Sequence, residues 1–429
     1  MKKAIYTLLF VFCGLTASAQ VGTWTGDLDI NGNKLTLEFS FNNGTCTLSV
    51  PMQGAKDIPT EFSKPLPIMV DITISAINAS YKGLCKGDTL ISGTFQQNGQ
   101  TLPLNLRPMQ TRKRPQNPTA PFPYTTEEVR WSNNDVSLSG TLTLPQNYTS
   151  NTPVVLLITG SGLQNRDEEL MEHKPFAVIA DVLARNGIAT LRYDDRGFGQ
   201  STGDVTNATT YDFKDDAKAG IEYLRKRFNH VGTLGHSEGG TIALLLASEQ
   251  STDFVISLAG MAASGKETLI KQNHDLLLQN GYSSNIVEEY CTALSDLFQA
   301  LIDGRTFKNY DSYPLLDKTL TSNLYLVNKQ CQTPWWLTFL KLDITSELTK
   351  IKCPVLALNG KKDTQVDATQ NLTIIRNQLP TAHIIEYDGL NHLFQHCVTG
   401  SPSEYINIEE TISTDVLDNI INWIKNLKL

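Results

Sequence analysis

The stretch GHSEG at residues 235–239 constrains the fold more than any other part of the chain. It fits the pattern G-x-S-x-G and stands between an apolar run, residues 231–234, and a segment with apolar residues at helical spacing, residues 239–247. A turn of this kind, from strand to helix, holds the serine side chain exposed, and its glycines allow close approach of the backbone. The context predicts a nucleophile elbow at Ser237, with a plain helix N-cap as the alternative.

The residues after about 125 predict strands that alternate with helices. Such alternation is typical of a mostly parallel central sheet covered by helices on both faces. The interval from about 261 to 351 has helical patterns and no strand pattern, so we expect a helical cap inserted over the carboxyl ends of the strands, where open α/β sheets bind ligands. Strand patterns occupy residues 136–144, 154–159, 188–193, 231–234, 254–258, 355–358 and 384–387, and helical patterns occupy 175–187, 211–228 and about 414–426.

The first 19 residues are typical of a secretory signal. Lys2 and Lys3 precede an apolar stretch that ends in Ala17-Ser18-Ala19, an A-x-A cleavage pattern. We therefore expect cleavage after Ala19 and an exported protein, periplasmic or secreted. No later segment is long and apolar enough to span a bilayer, so no integral membrane segment is expected.

Residues 20–110 predict a small all-β domain, a sandwich or half-barrel. Apolar residues alternate along short runs, and Asn-Gly pairs at positions 31, 43 and 98 mark hairpin turns. Residues 111–124 form a proline-rich linker in which the basic stretch TRKRP is expected to be solvated. The second domain, with alternating strands and helices, is assigned to residues 125–429.

Composition excludes several classes of protein. A net charge of −8 and 40% hydrophobic residues describe an ordinary globular protein, and no nucleic acid partner is expected. Beyond Cys13 the chain has six cysteines, of which Cys46 and Cys85 are a candidate disulfide in an oxidising compartment. The sequence contains no C-x-x-C spacing, so neither a zinc site nor a redox site is indicated.

Two residues complete a candidate triad in the order Ser, Asp, His. Asp363 follows the strand at 355–358, and His392 comes 29 residues later, which leaves room for one helix and one strand. A serine is a weak nucleophile, so an imidazole must take its proton, and a buried carboxylate must fix the tautomer of that imidazole. Asp367 and Asp388 remain alternative acids.

The candidate oxyanion hole consists of two backbone amides. One is the amide of Glu238, directly after the candidate nucleophile, and the other is that of Ser161 in the loop at residues 160–168. His392 and His396 have the spacing of two zinc ligands on a helix, but Leu393 stands where a zinc site of the H-E-x-x-H type needs glutamate. We therefore expect no metal and no cofactor.

Two further features are open to structural interpretations that involve no catalytic role. Asp195 and Arg196 in DDRGFGQSTG are expected to pair with each other as loop architecture. Trp335 and Trp336 either line an acyl pocket or pack in the core.

These motifs resemble the serine aminopeptidase-like and esterase branch of the α/β-hydrolase superfamily. The stretches that carry the resemblance are GSGLQNRDE, YDDRGFGQSTG, GHSEGG, CPVLALNGKKDTQV and GLNHLFQHCVTG, within residues 125–429. The chain is especially similar to exported bacterial esterases with a small β domain in front. The resemblance implies Ser237 as nucleophile, Asp363 as acid and His392 as base; Thr159 departs from it, because relatives often place histidine before the oxyanion glycine.

The sequence thus predicts an exported serine hydrolase that cleaves small-molecule carboxylic esters with short to medium acyl groups. The alternatives are a peptidase or amidase with the same triad and a non-catalytic binding protein with a degenerate hydrolase fold. The oligomeric state and the role of the β domain do not follow from the sequence.

Overall fold

The computed structural model describes residues 22–30, 33–42, 44–66, 68–109 and 113–429. The expected signal segment, residues 1–19, lies outside the described residues, as do the turn residues Asn31, Gly32 and Asn43. The described residues form two compact units that meet in the chain at residues 111–112. No helix among them is long and apolar enough to cross a membrane.

The first unit is a strongly curved antiparallel sheet. Its strand order is β4-β3-β2-β1-β9-β8-β7-β6-β5, so β4 and β5 lie at opposite edges although Thr60 alone separates them in the chain. The sheet must therefore curve round, and inward-facing residues such as Phe39, Leu48 and Tyr81 fill the interior. The prediction of an all-β domain is confirmed. The strands are β1 (Gly22–Ile30), β2 (Asn33–Asn42), β3 (Thr45–Val50), β4 (Ala55–Pro59), β5 (Glu61–Ser63), β6 (Met69–Ile74), β7 (Ala79–Lys86), β8 (Leu90–Gln97) and β9 (Gln100–Pro108).

The hairpin between β8 and β9 forms at Asn98-Gly99 as its sequence predicts. Both residues have positive φ, 50° and 79°, and Gln97 pairs with Gln100 across the turn. Two consecutive left-handed residues match the right-handed twist of the flanking strands, which explains the Asn-Gly pair.

The expected Cys46–Cys85 disulfide is wrong. Neither residue is part of a disulfide, and the same holds for the other cysteines of the described chain. Cys46 lies on β3 and Cys85 on β7, and four strands separate β3 from β7 in the sheet order. Burial raises the pKa of the Cys46 thiol to about 11, so this group remains protonated at neutral pH.

The second unit is built on a mostly parallel sheet with the order β10-β11-β13-β12-β14-β15-β16-β17. The pairs β10–β11 and β11–β13 are antiparallel and the remaining pairs are parallel. The sequence analysis missed β10: it placed residues 125–133 in this domain but assigned no strand to them. The strands are β10 (Tyr124–Asn133), β11 (Val136–Pro145), β12 (Val154–Ile158), β13 (Ala189–Tyr193), β14 (Val231–His236), β15 (Val255–Leu258), β16 (Val355–Gly360) and β17 (His383–Tyr387).

Helices cover both faces of this sheet. Successive residues of β12 point to opposite faces: Leu156 packs in the core beneath α2, α3 and α9, and Leu157 packs in the core beneath α1 and α11. The predicted alternation of strands and helices is confirmed. The helices are α1 (Pro175–Arg185), α2 (Thr210–Arg225), α3 (Glu238–Ser248), α4 (Gly265–Gln279), α5 (Ser284–Ile302), α6 (Lys318–Gln330), α7 (Pro334–Lys341), α8 (Thr345–Leu348), α9 (Ala368–Gln378), α10 (Pro402–Tyr405) and α11 (Thr414–Asn426).

The predicted cap is present. Helices α4 to α8 and no strand lie between Leu258 and Val355. Residues of α5 such as Leu294 and Leu297 are fully buried and form the centre of a separate apolar core for this insertion. Thr333 caps α7 by accepting a hydrogen bond from the amide of Trp336, and Pro334 occupies its first turn.

The expectation of a solvated basic stretch is wrong for Arg114. Its guanidinium donates hydrogen bonds of 2.9–3.0 Å to the carbonyl oxygens of Met171, Ile406 and Ile408. Gln116 likewise bonds the backbone of Thr411. A guanidinium with several donors in a fixed plane can satisfy several carbonyls at once, so Arg114 is anchored to the rest of the second unit.

Candidate active site

Ser237 lies at a sharp turn between β14 and α3. Its backbone has φ 54° and ψ −121°, a strained conformation for a residue other than glycine. A side chain at Gly235 would place its Cβ 1.9 Å from the carbonyl oxygen of Gly239, and one at Gly239 would place it 2.1 Å from that of Ile158. The two glycines of the motif are therefore needed for close approach of the backbone.

His392 and Asp363 form a buried pair. His392 Nδ1 lies 2.7 Å from Asp363 Oδ2, while Asp363 Oδ1 accepts hydrogen bonds from the amides of Gln365 and Val366 at 2.8 and 2.9 Å. A carboxylate that already accepts two amides accepts the imidazole proton as well, so Nδ1 carries the hydrogen and the lone pair on Nε2 remains free. In the described structure, Ser237 Oγ makes no hydrogen bond to His392, although both residues border one cavity.

The alternative acids lie elsewhere. Asp367 caps α9 by accepting from the amide of Gln370, and Asp388 pairs with Lys361 with its side chain 90% exposed. His396 contacts Glu410 with its side chain 64% exposed. His392 and His396 both stand in irregular chain, so the one-helix geometry of a zinc pair does not apply. Among the described residues no group of three or more His, Cys, Asp or Glu could hold a metal ion.

The cavity at Ser237 has a volume of about 520 Å³ and combines one aromatic wall with neutral amides. Trp335, Trp336 and Phe339 of α7 form the aromatic wall. Both tryptophans also pack against apolar core residues, so the two interpretations left open by the sequence apply together. Other lining residues are Gly160, Ser161, Gly162, Gln164, Glu168, Leu170, His236, Met261, Thr268, Leu269, Gln272, Gln365, Val366, His392 and Leu393.

Two buried carboxylates hold the loop that follows β12. Glu168 Oε1 accepts the amide of Gly160 at 2.8 Å, and Asp195 Oδ2 accepts the amide of Gln164 at 2.8 Å. Between these anchors Ser161 is exposed, and its amide has no acceptor among the described residues. The amide of Glu238, in the first turn of α3, likewise has none. Ser161 lines the cavity, and Glu238 directly follows the candidate nucleophile Ser237.

The side chain of Glu238 makes contacts that the sequence did not indicate, separate from any role of its backbone amide. It is buried and accepts hydrogen bonds from Thr210 Oγ1 at 2.6 Å and Trp335 Nε1 at 3.1 Å. Burial raises its pKa above the usual value for glutamate. The carboxyl therefore ties the elbow to α2 and to α7 of the cap.

The expected pairing of Asp195 with Arg196 is wrong. Arg196 donates to both carboxylate oxygens of Asp216 at 2.6 and 2.8 Å. Asp195 accepts instead from Thr159 Oγ1 at 2.7 Å, and burial raises the pKa of this carboxyl to about 8. The departure at Thr159 is thus a hydrogen bond that helps to anchor the loop carrying Ser161.

The sequence reading missed a second histidine–carboxylate pair beside the triad residues. His236 Nδ1 lies 3.0 Å from Glu168 Oε1, and His236 Nε2 lies 2.9 Å from the carbonyl oxygen of His392. His236 occupies an x position of the motif, where the pattern sets no residue type. Glu168 lies 68 residues away in the chain, so no local spacing connects the two.

The sheet order, the elbow and the inserted cap define an α/β-hydrolase. The family described as "Serine aminopeptidase, S33" matches residues 171–396, and the chain belongs to this family. The chain is 25% identical over 294 residues to Esterase EstD of Thermotoga maritima, covering 67% of this chain and 65% of that protein. It is also 25% identical over 237 residues to an acyl transferase of Photobacterium leiognathi, covering 52% of this chain and 68% of that protein.

Among solved structures, the chain is similar to Est1E of Butyrivibrio proteoclasticus with ferulic acid bound. It shares 16% sequence identity at a TM-score of 0.43, covering 69% of this chain and 98% of that one.

Proposed function

We propose that this chain is a serine hydrolase that cleaves carboxylic esters with short to medium acyl groups through an acyl-enzyme. Ser237 is the nucleophile, His392 the general base and Asp363 the acid that orients it. The observation that carries the proposal is the shared cavity: Ser237, at a strained elbow, and His392, of the buried His392–Asp363 pair, border the same space.

The reaction follows from this arrangement. Asp363 holds the proton on His392 Nδ1, so Nε2 takes the proton of Ser237 as the hydroxyl attacks the ester carbonyl. The amides of Glu238 and Ser161 donate to the oxygen that becomes negative in the tetrahedral intermediate. His392 then gives the proton to the leaving alcohol, and water activated by the same imidazole releases the acid.

The lining of the cavity favours an uncharged ester. Its aromatic wall offers apolar contact to an acyl group, and its polar residues include the neutral amides of Gln164, Gln272 and Gln365. The relative named as an esterase supports ester cleavage, and the relative named as an acyl transferase supports an acyl-enzyme.

A peptidase with the same triad would need a carboxylate to hold a free N-terminus. Glu168 borders the cavity, but one of its oxygens already contacts both Gly160 and His236. Glu238 is 3% exposed and bonded to the cap and α2. Glu168 is 6% exposed and Glu238 is 3% exposed, so neither carboxylate presents an exposed charge to an ammonium group, and esters are the preferred assignment.

Export to the periplasm or beyond the cell is also proposed. Its support is the Lys2-Lys3 start, the apolar stretch and the A-x-A pattern that ends at Ala19.

A fluorophosphonate probe tests the proposed function. Purified protein is labelled and assayed on a panel of p-nitrophenyl esters and aminoacyl amides, beside Ser237→Ala and the surface variant Ser403→Ala. We expect labelling and ester turnover in the parent and in Ser403→Ala, and neither in Ser237→Ala. An unlabelled parent would favour the non-catalytic binding protein, and best turnover of an aminoacyl amide would favour the peptidase.

A further inference from the structure

His236 lies between the loop that carries Ser161 and the loop that carries His392, and the proposed reaction requires a fixed placement of both. It is the last residue of β14, directly before Ser237, and its side chain is buried. Through Glu168 it reaches the amide of Gly160, at the start of the loop that carries Ser161. Through its Nε2 it reaches the backbone of His392. One side chain therefore links the candidate oxyanion loop to the loop of the candidate base.

The hydrogen-bond partners of His236 fix its protons. A carbonyl oxygen only accepts, so the nitrogen facing His392 O carries a hydrogen. The other nitrogen faces Glu168 Oε1, which also accepts the amide of Gly160. An acceptor oxygen therefore faces each ring nitrogen, the arrangement that stabilises an imidazolium paired with a carboxylate.

The surroundings of the ring agree with that charge. Burial by itself would lower the pKa of His236, but the Glu168 carboxylate, the hydrogen bonds and the more distant Asp363 carboxylate outweigh it and raise the pKa above the usual value. The other titratable group that faces the ring is His392, whose ring centroid lies 4.6 Å from that of His236.

The backbone of Glu168 provides independent support. This residue is 6% exposed and has φ 51°, in the left-handed region that a glutamate rarely adopts. Strain of this kind persists only where the surrounding structure enforces it, and it concentrates at functional sites. Here the strained conformation aims the carboxylate at Gly160 and His236.

We propose that His236 and Glu168 form a charged positioning pair that keeps the Ser161 loop and His392 in their working arrangement and sets the pH range of the reaction. The inference rests on the proposed function, because it assigns the pair to the hydrolytic site. Neither residue takes part in a covalent step. The positive end of the pair lies nearest the His392 ring, where it disfavours a second positive charge.

Kinetic pH profiles distinguish a positioning role of the His236–Glu168 pair from a purely structural role. In His236→Gln the amide can still donate to His392 O, but the Glu168 carboxylate loses its counter-ion and favours a cation nearby. We expect the acid limb of the kcat/KM profile to move to higher pH by roughly half a unit or more. We also expect kcat to fall about tenfold while KM changes little, because loop placement acts mainly on the transition state.

Glu168→Gln and the double variant complete the test. Glu168→Gln removes the anion that keeps His236 charged, so its acid limb should move less than that of His236→Gln. The double variant should follow Glu168→Gln, because no unpaired charge remains. His396→Gln is the matched control, since His396 belongs to an exposed histidine–glutamate contact, and its profile should equal that of the parent. Acid limbs that coincide in all variants, or a shift to lower pH in His236→Gln, would refute the proposal.

The charge itself is measurable without any activity. In protein labelled with ¹⁵N-histidine, the signals absent from His236→Gln belong to His236. At pH 7.5 both of its nitrogens should show the shifts of a protonated imidazolium, and those shifts should become neutral in Glu168→Gln. A neutral tautomer in the parent would overturn the charged pair even if ester hydrolysis holds. An imidazolium in a protein without esterase activity would instead leave the pair intact and refute the proposed function.

Discussion

Asp363 Oδ2 lies 2.7 Å from His392 Nδ1, and both side chains are at least 95% buried. In Asp363→Asn the amide nitrogen would face Nδ1 and force its hydrogen onto Nε2, the nitrogen that has to accept the proton of Ser237. We expect the fold to persist and kcat to fall by about 10⁴-fold, as for the same change in other triads.

Asp388→Asn is the matched control, because Asp388 contacts Lys361 at the surface. It should keep the parent kcat, and the two variants should have the same far-UV circular dichroism. Retention of a tenth or more of the parent kcat in Asp363→Asn would remove Asp363 from the triad.

The two neighbouring histidines should differ sharply. His392→Ala should abolish ester turnover, because the buried imidazole is the proposed base. His396→Ala should keep most of it, because His396 contacts Glu410 at the surface. A chelator such as EDTA should not change the rate of the parent. Equal losses in the two variants, or inactivation by the chelator, would overturn the metal-independent triad.

The sheet and the elbow were predictable because their signals are local. Periodic apolar residues mark β12, β14 and α3. The close approach of the backbone at Gly235 and Gly239 leaves no room for a side chain, so the geometry of the turn requires the glycines that the sequence motif contains. The strand β10 was missed because its polar residues resemble a linker. It is an edge strand that pairs with β11 alone, and one apolar face is enough for it.

The interior of the site could not be predicted from sequence. Glu168 and His236, or Asp195 and Thr159, meet only when separate strands bring their ends to one edge of the sheet. A charged residue next to another in the chain, such as Asp195 beside Arg196, suggests a local pair. Tertiary packing instead turns Arg196 towards Asp216.

Asp195 should make the stability of the protein depend on pH. Its pKa is about 8 in the folded chain, against about 3.9 for an unperturbed aspartate, so the folded state binds the proton more tightly. The resulting stabilisation is complete below the unfolded pKa and is lost as pH rises through about 8. Asp195→Asn cannot ionise, and relative to the parent it should gain on the order of 4 kcal/mol in free energy of unfolding between pH 5 and 8.5.

Urea unfolding of both proteins at the two pH values measures this difference. Asp204→Asn serves as control, because Asp204 is exposed and hydrogen-bonded only to its own turn. A parent–variant difference that stays constant with pH would show that Asp195 is ionised in the fold.

The aromatic wall should set the length of the acyl group. A chain that enters the cavity gains about 0.8 kcal/mol, close to fourfold in kcat/KM, for each methylene buried until it meets a wall. For the parent we therefore expect kcat/KM to fall in the order short acyl ester, then long acyl ester, then aminoacyl amide.

Trp336→Ala removes part of the aromatic wall and should move the best acyl chain to a greater length, raising the ratio of kcat/KM for C8 over C4 esters roughly tenfold. Tyr325→Ala is the control, because Tyr325 on α6 of the same cap is 61% exposed and does not border the cavity. A series of p-nitrophenyl esters from C2 to C12 measures the change. If Trp336→Ala and Tyr325→Ala gave the same chain-length profile as the parent, the acyl group would have to lie against another part of the cavity.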